Sequence, residues 1–200
     1  MFGRLTLLGR LRARYQAMMQ PIGRSLGRSG LSPNALTTAS LIIALGAGAA
    51  YAFRSPILGA LGLLSSGIVD MLDGAVARAT RSASRFGAVY DHVLDRYAEF
   101  FVLAGIGLGG FSDWIWVLYC LFGMVMASFT RAKAESIGGL KHCTVGVAER
   151  QEKLVILLIG SILQPFIAGS LMVAVIVVGT LSHATVIQRL HYTFKETRRK

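Results

Sequence analysis

The sequence predicts an all-α integral membrane protein, with six transmembrane helices behind an N-terminal interfacial amphipathic helix and both termini cytoplasmic. Three observations carry that expectation. First, a chain of 200 residues that is 54% hydrophobic and 16% charged, with mean hydropathy +0.57, cannot have water as its main solvent. Second, residues 33–190 divide into six apolar segments separated by short polar or glycine- and proline-bearing breaks. Third, every Lys and Arg except Arg54 and Arg96 falls at a terminus or on alternate connections, the distribution that marks cytoplasmic loops. A formal net charge of +11 would suggest nucleic acid in a soluble protein. Here the cations lie between apolar runs and point to anionic headgroups or phosphates, with no nucleic-acid partner. Cys120 and Cys143 form neither a CxxC nor a Cys/His metal spacing.

Residues 1–32 read as the interfacial helix. Leu8, Leu11, Tyr15, Met18 and Ile22 recur at three- and four-residue steps, opposite much of the arginine at Arg4, Arg10, Arg12 and Arg14. No continuous apolar stretch or cleavage site follows, so this arm is expected to stay on the mature protein. Ser32 and Pro33 supply a cap and a first-turn proline for the first span. The six spans are placed at Pro33 to Phe53, Ile57 to Arg78, Arg85 to Leu108, Trp114 to Glu135, Glu149 to Leu163 and Phe166 to Leu190. The fifth is short, and its polar first turn must sit at headgroups or in a wet cavity. Residues 191–200 form a basic cytoplasmic tail. The connections on the opposite side, Arg54 to Pro56, Gly109 to Asp113 and Gln164 to Pro165, are too short to carry a site, so function belongs at the cytoplasmic helix ends.

The acidic residues are the more informative set. Of ten, Asp70, Asp73, Asp91 and Asp95 fall in the second and third apolar segments, where an intramembrane carboxylate costs about 2.5 to 3.5 kcal/mol on insertion scales. Asp70 and Asp73 are i and i+3 on one helix; Asp91 and Asp95 are i and i+4 on the next, with Gly87 continuing their stripe. A tight connection over Thr80 to Ser84 makes the two helices antiparallel neighbours, so the four carboxylates converge. Their mutual repulsion calls for cations, and an all-oxygen donor set suits Mg²⁺, Mn²⁺ or Ca²⁺. Two such ions are the usual means of gripping a diphosphate during an in-line displacement. Gly74 and Gly87 let a ligand approach the backbone, and Arg78 can meet a phosphate. The plain alternative is a set of unrelated carboxylates neutralised by Arg78, Arg85 and Arg96.

From Asp70 to Asp95 the sequence reads D-M-L-D-G-A-V-A-R, eight residues, then G-A-V-Y-D-H-V-L-D. This resembles the signature of the CDP-alcohol phosphotransferase family, D-x-x-D-G-x-x-A-R-x₈-G-x-x-x-D-x-x-x-D, without a mismatch. The resemblance implies a membrane enzyme that transfers a lipid phosphoryl group from a CDP-activated lipid to an alcohol and releases CMP. It implies Mg²⁺ or Mn²⁺, as two ions, held by Asp70, Asp73, Asp91 and Asp95, with Asp95 a further ligand or the general base. Gly74, Ala77, Arg78 and Gly87 match positions that line the CDP site, and Asn34 and Thr37 resemble a P-N-x-x-T pattern near the nucleotide. Helix capping accounts for those last two nearly as well.

The acceptor is read from a second set of cations. Arg131 and Lys133 end the fourth span, Arg150 and Lys153 open the fifth, and Arg189 ends the sixth. A phosphorylated acceptor would use such a cluster, whereas serine or choline would not; topology alone would also place basic residues at these ends. The stretches R-A-K-A-E-S and V-G-V-A-E-R-Q-E-K-L resemble the inositol-phosphate-using branch of the family, which implies CDP-archaeol or CDP-diacylglycerol as donor and inositol phosphate as acceptor. Glycerol phosphate or serine remain alternative acceptors. Residence in the cytoplasmic membrane with the site facing the cytoplasm follows from the charge distribution, and family resemblance suggests a homodimer. His92 is read as packing beside Asp91, and Arg96 and Glu99 as pairing with each other or with a neighbouring helix. Two rivals are an intramembrane prenyltransferase, which would have more spans and lack D-G-x-x-A-R, and a divalent-cation transporter, which would place its acids at mid-membrane with access from both sides.

Overall fold

Ser32 and Pro33 start a helix where the local chemistry says they should. Pro33 has no N–H to leave unpaired, and Ser32 Oγ accepts the Ala35 N–H at 3.2 Å. The computed structural model describes residues 19, 21–28 and 30–198, all helical or loop with no strand among them. Seven helices follow in order: α1 over residues 21–28, α2 Pro33–Ala52, α3 Pro56–Ala79, α4 Arg85–Leu108, α5 Trp114–Ser136, α6 Arg150–Leu163 and α7 Ser170–Thr197. The positions assigned to an interfacial helix at Leu8, Leu11, Tyr15 and Met18 lie outside the described residues.

α2, α3, α5 and α7 are long and apolar enough to cross a membrane. α4 is as long but carries Arg85, Asp91, Asp95, Arg96 and Glu99. α6 has 14 residues, about 21 Å at 1.5 Å per residue, short of a hydrocarbon core of about 30 Å. The solvent-facing stripes are those of a protein in lipid: along α5, Ile115, Leu118, Phe122 and Phe129 are exposed at half or more of their surface, while the opposite face buries Cys120, Gly123, Ala127, Thr130 and Ala134. Small residues inside and large apolar ones outside let backbones approach where no water drives association.

The chain folds as two compact units. Among the described residues, one comprises those up to Ile43 with Leu64–Ala98; the other comprises Ala44–Leu63 with those from Glu99 onward. In the first, α1 crosses the C-terminal part of α3 so closely that a Cβ on Gly23 would lie 2.6 Å from the Ala75 carbonyl oxygen. Ser40 and Ser66 join α2 to α3 by their hydroxyls at 3.1 Å. In the second unit α7 packs against α5 and α6 over a core of Met124, Leu157, Leu171, Val175 and Val178. Gly105 on α4 lies against the Gly48 carbonyl on α2, a crossing that leaves no room for a side chain.

Five of the six expected segments coincide with helices to within a residue or two at each end. The sixth differs: α7 starts at Ser170 rather than Phe166 and runs through Thr197, so most of the expected tail is helix. Pro165 has no N–H to give and Gly169 takes a left-handed φ of 85°, so residues 164–169 form a loop. Gln164 Oε1 then accepts the Leu171 N–H at 2.9 Å and caps the new helix.

Candidate active site

The carboxylates come from the last turns of α3 and the first turns of α4, joined by five residues. Arg81 turns this connection with a φ of 55°, and Ser84 Oγ accepts the Gly87 N–H at 2.9 Å, capping α4. Asp70, Asp73 and Asp91 each place an oxygen within 4.8 Å of the other two, and Asp91, His92 and Asp95 form a second group at the same limit. Asp91 is common to both. Asp73 and Asp95 are each 7% exposed, whereas Asp70 and Asp91 are half-buried and open to a ligand.

The surrounding residues come from α2, α3 and α4. Thr37 Oγ1 lies 2.6 Å from Asp73 Oδ2, in the range of a hydroxyl donating to a carboxylate. Asn34, one turn earlier, puts its Oδ1 3.3 Å from where a Cβ on Gly87 would be. Thr38 shares a 2.9 Å hydrogen bond with Tyr90 of α4. The Arg78 guanidinium folds back over Gly74, with Nη1 3.1 Å from the position of an added Cβ, and Ala77 lies half-buried in the same turn. Arg96 Nη2 is 3.8 Å from Asp95 Oδ2. All the residues expected around the carboxylates, Asn34, Thr37, Gly74, Ala77, Arg78 and Gly87, thus lie in the unit that holds Asp70, Asp73, Asp91 and Asp95.

A divalent cation fits this donor set. Two oxygens bound to one ion at about 2.1 Å stand about 3 to 4 Å apart, so small side-chain rotations of Asp70, Asp73 and Asp91 would close a shell on one hard ion. The ligands are oxygen only, as Mg²⁺ and Mn²⁺ prefer. His92 is exposed and 3.9 Å from Asp91 Oδ2, at the rim of the second group.

The five other cations are distributed through the second unit. Arg131 Nε donates to Glu135 Oε1 at 3.1 Å, and Arg189 is 8% exposed. Arg189 spends Nε on the Val145 carbonyl at 2.9 Å and Nη1 on that of Ala127 at 2.6 Å. Lys133 sits about 200° around α5 from Arg131, its ammonium 5.4 Å from the Phe129 ring centroid. Arg150 and Lys153 share the first turn of α6, which is fixed by a reciprocal capping box between Glu149 and Glu152. Arg150 Nε is 3.6 Å from Glu99 Oε1, so Glu99 does look to a neighbouring helix. The loop before α6 is fastened at alternate residues: the Cys143 N–H to Glu135, the Val145 carbonyl to Arg189 and the Val147 N–H to Thr185.

Comparison with known proteins places this geometry. The profile of the CDP-alcohol phosphatidyltransferase family matches residues 31–188. The chain belongs to that family. This CDP-alcohol phosphatidyltransferase is 37% identical over 191 residues to the archaetidylinositol phosphate synthase of Methanothermobacter thermautotrophicus, covering 95% of each chain. It is 36% identical to the phosphatidylinositol phosphate synthase of Mycolicibacterium smegmatis, covering 90% of this chain and 85% of that one. Among solved structures it is similar to the phosphatidylinositol phosphate synthase of Mycobacterium tuberculosis with CDP-DAG bound, at a TM-score of 0.79 and 30% identity over 89% of this chain and 94% of that one. The same enzyme in complex with manganese and citrate also gives a TM-score of 0.79, at 30% identity and 88% coverage of both chains.

Several residues of this CDP-alcohol phosphatidyltransferase stood out only in three dimensions. Thr38, Tyr90 and Ser84 brace the carboxylate helices, but hydroxyls near helix starts are too common to single them out in a sequence. Glu99 was read from the sequence as a pairing residue, and it also continues the i, i+4 stripe of Asp91 and Asp95 by one more turn. Glu135 and Thr185, which hold the α5–α6 loop, pair with residues eight and 38 positions away and left no periodic trace.

Proposed function

We propose that this enzyme transfers the lipid phosphoryl group of a CDP-activated lipid, CDP-archaeol or CDP-diacylglycerol, to a hydroxyl of inositol phosphate. The observation that carries the reading is the convergence of Asp70, Asp73 and Asp91 within 4.8 Å on the two helices that bear the family signature. The names of the relatives support the choice of acceptor. The acceptor hydroxyl oxygen forms a bond to the lipid-bearing phosphorus, the bond from that phosphorus to the bridging oxygen breaks, and CMP leaves with the electron pair.

In this reading Asp70, Asp73, Asp91 and Asp95 would hold two divalent ions, Mg²⁺ or Mn²⁺, whose chemistry is to neutralise the diphosphate and the leaving CMP. Asp95, on the inner side of the cluster, takes the proton from the attacking hydroxyl. Arg78, folded over Gly74, meets a phosphate oxygen of the donor, and Asn34, Thr37, Ala77 and Gly87 line the nucleotide. Arg131, Lys133, Arg150, Lys153 and Arg189 hold the acceptor phosphate through charge-assisted contacts. Residues 33–190 span the cytoplasmic membrane six times with the site on the cytoplasmic side, and the protein works as a homodimer.

The deciding experiment supplies purified enzyme with radiolabelled CDP-lipid and, separately, inositol phosphate, inositol, glycerol phosphate and serine, and follows CMP release. Inositol phosphate should support turnover well above the others. Equal turnover with glycerol phosphate or serine would keep the transferase chemistry and remove the acceptor assignment; metal flux in proteoliposomes without CDP-lipid would remove both.

A further inference from the structure

Glu99 is a buried acid that the reaction as written does not use. It is 5% exposed, lies one helical turn beyond Asp95 on α4, and puts Oε1 3.6 Å from Nε of Arg150 on α6. Lys153, one turn along from Arg150 on α6, is 6% exposed. These two cations occupy an electrostatically poor position: the first turn of a helix carries the positive end of its dipole, which favours anions. Glu149 and Glu152 are turned toward that turn's own backbone by the capping box. Glu99, reaching across from α4, brings a carboxylate to the side chains themselves. It faces the Nε edge of the guanidinium at ion-pair distance, and because the fork is planar and rigid, a charge held at one edge biases the direction in which the Nη donors point.

We propose that Glu99 is a positioning residue that holds Arg150 in the orientation needed to grip the phosphate of the acceptor. The inference rests on the acceptor reading above. It assigns to Glu99 no contact with either substrate; its effect passes through Arg150.

The test is a double-mutant cycle on full-length enzyme, with separate apparent KM values for inositol phosphate and CDP-lipid. Glu99→Gln keeps the size of the side chain and removes its charge. It should raise the acceptor KM about tenfold, the scale of one charge-assisted contact, and change the donor KM less than about twofold. Added to Arg150→Ala, it should cause no further loss, since the residue it positions is gone. Glu99→Asp should recover part of the effect, and also serves the cycle if Glu99→Gln does not fold. A fall in acceptor KM, a parallel rise in both constants, or losses that multiply in the double variant would overturn the proposal. Absence of CMP release by the unaltered enzyme with inositol phosphate would overturn the acceptor reading and this inference together, whereas a failed cycle in an active enzyme overturns this inference alone.

Discussion

Thr37 on α2 and Asp73 on α3 are joined by a 2.6 Å hydrogen bond between residues 36 apart in the chain. The Thr37 hydroxyl has one proton and two acceptors in reach, Asp73 Oδ2 and, at 3.0 Å, the Pro33 carbonyl. The shorter contact, to the carboxylate, is the stronger. It engages one oxygen of Asp73, so in the proposed site a residue placed beside the nucleotide would also orient a metal ligand. Thr37→Val, which keeps the shape without the proton, should weaken the apparent affinity for Mg²⁺ or Mn²⁺ by about 10- to 100-fold, and Thr37→Ser should restore most of it. Metal titrations of CMP release check this; superimposable curves for Val and Thr would remove the role.

Metal removal gives a coarser outcome. With Asp70, Asp73 and Asp91 so close, activity should vanish in EDTA and return with Mg²⁺ or Mn²⁺. Full turnover in chelator would be incompatible with the site as described.

Asp91 and Asp95 should separate in their effects. Asp91 belongs to both carboxylate groups, so Asp91→Asn should weaken metal and donor binding together. Asp95→Asn should abolish turnover and leave most of the donor affinity, if its main task is to accept the proton. Comparing donor binding with turnover in each variant makes the distinction, and equal losses of affinity would assign Asp95 to the ions.

Among the cations proposed to hold the acceptor phosphate, Lys133 offers the sharpest contrast because it is exposed. Lys133→Ala should raise the KM for inositol phosphate about 10- to 100-fold. The penalty should shrink with unphosphorylated inositol, which never made the contact. An equal penalty with both acceptors would show that Lys133 does not read the phosphate.

Packing predicts a pair of opposite outcomes. Gly105→Ala drives a Cβ into the Gly48 carbonyl and should cost about 1 to 3 kcal/mol, seen as a lower Tm in detergent. Gly46→Ala meets nothing within 4 Å and should raise the Tm slightly through helix propensity. A Gly105→Ala variant as stable as the parent would show that the α2–α4 crossing can relax.

The helices were legible because their ends carry chemistry that acts locally. Ser32-Pro33 shows this: cap, proline and the start of an apolar run coincide at the first residues of α2. The start of α7 was not legible, since Phe166, Ile167 and Ala168 are apolar enough to continue a span, and only the backbone at Gly169 shows that they do not. For the site, fixed spacing along two adjacent helices brought Asp70, Asp73, Asp91 and Asp95 into view before any coordinates. Spacing could not show what each cation faces. Arg189 is committed in part to two backbone carbonyls and Arg150 faces an acid, relationships set by packing between elements far apart in the chain.

The α5–α6 loop looks like a flexible connector, yet Glu135, Arg189 and Thr185 tie its alternate residues 143, 145 and 147 to two helices. Such a segment cannot swing as a gate without breaking all three ties at once. Its Cys143 and Val147 amides should therefore exchange with solvent deuterium as slowly as those of a regular helix, and Glu135→Gln should release them. Should the acceptor of the proposed reaction pass this loop, it would meet a fixed rim rather than a moving flap, and turnover would not wait on that loop.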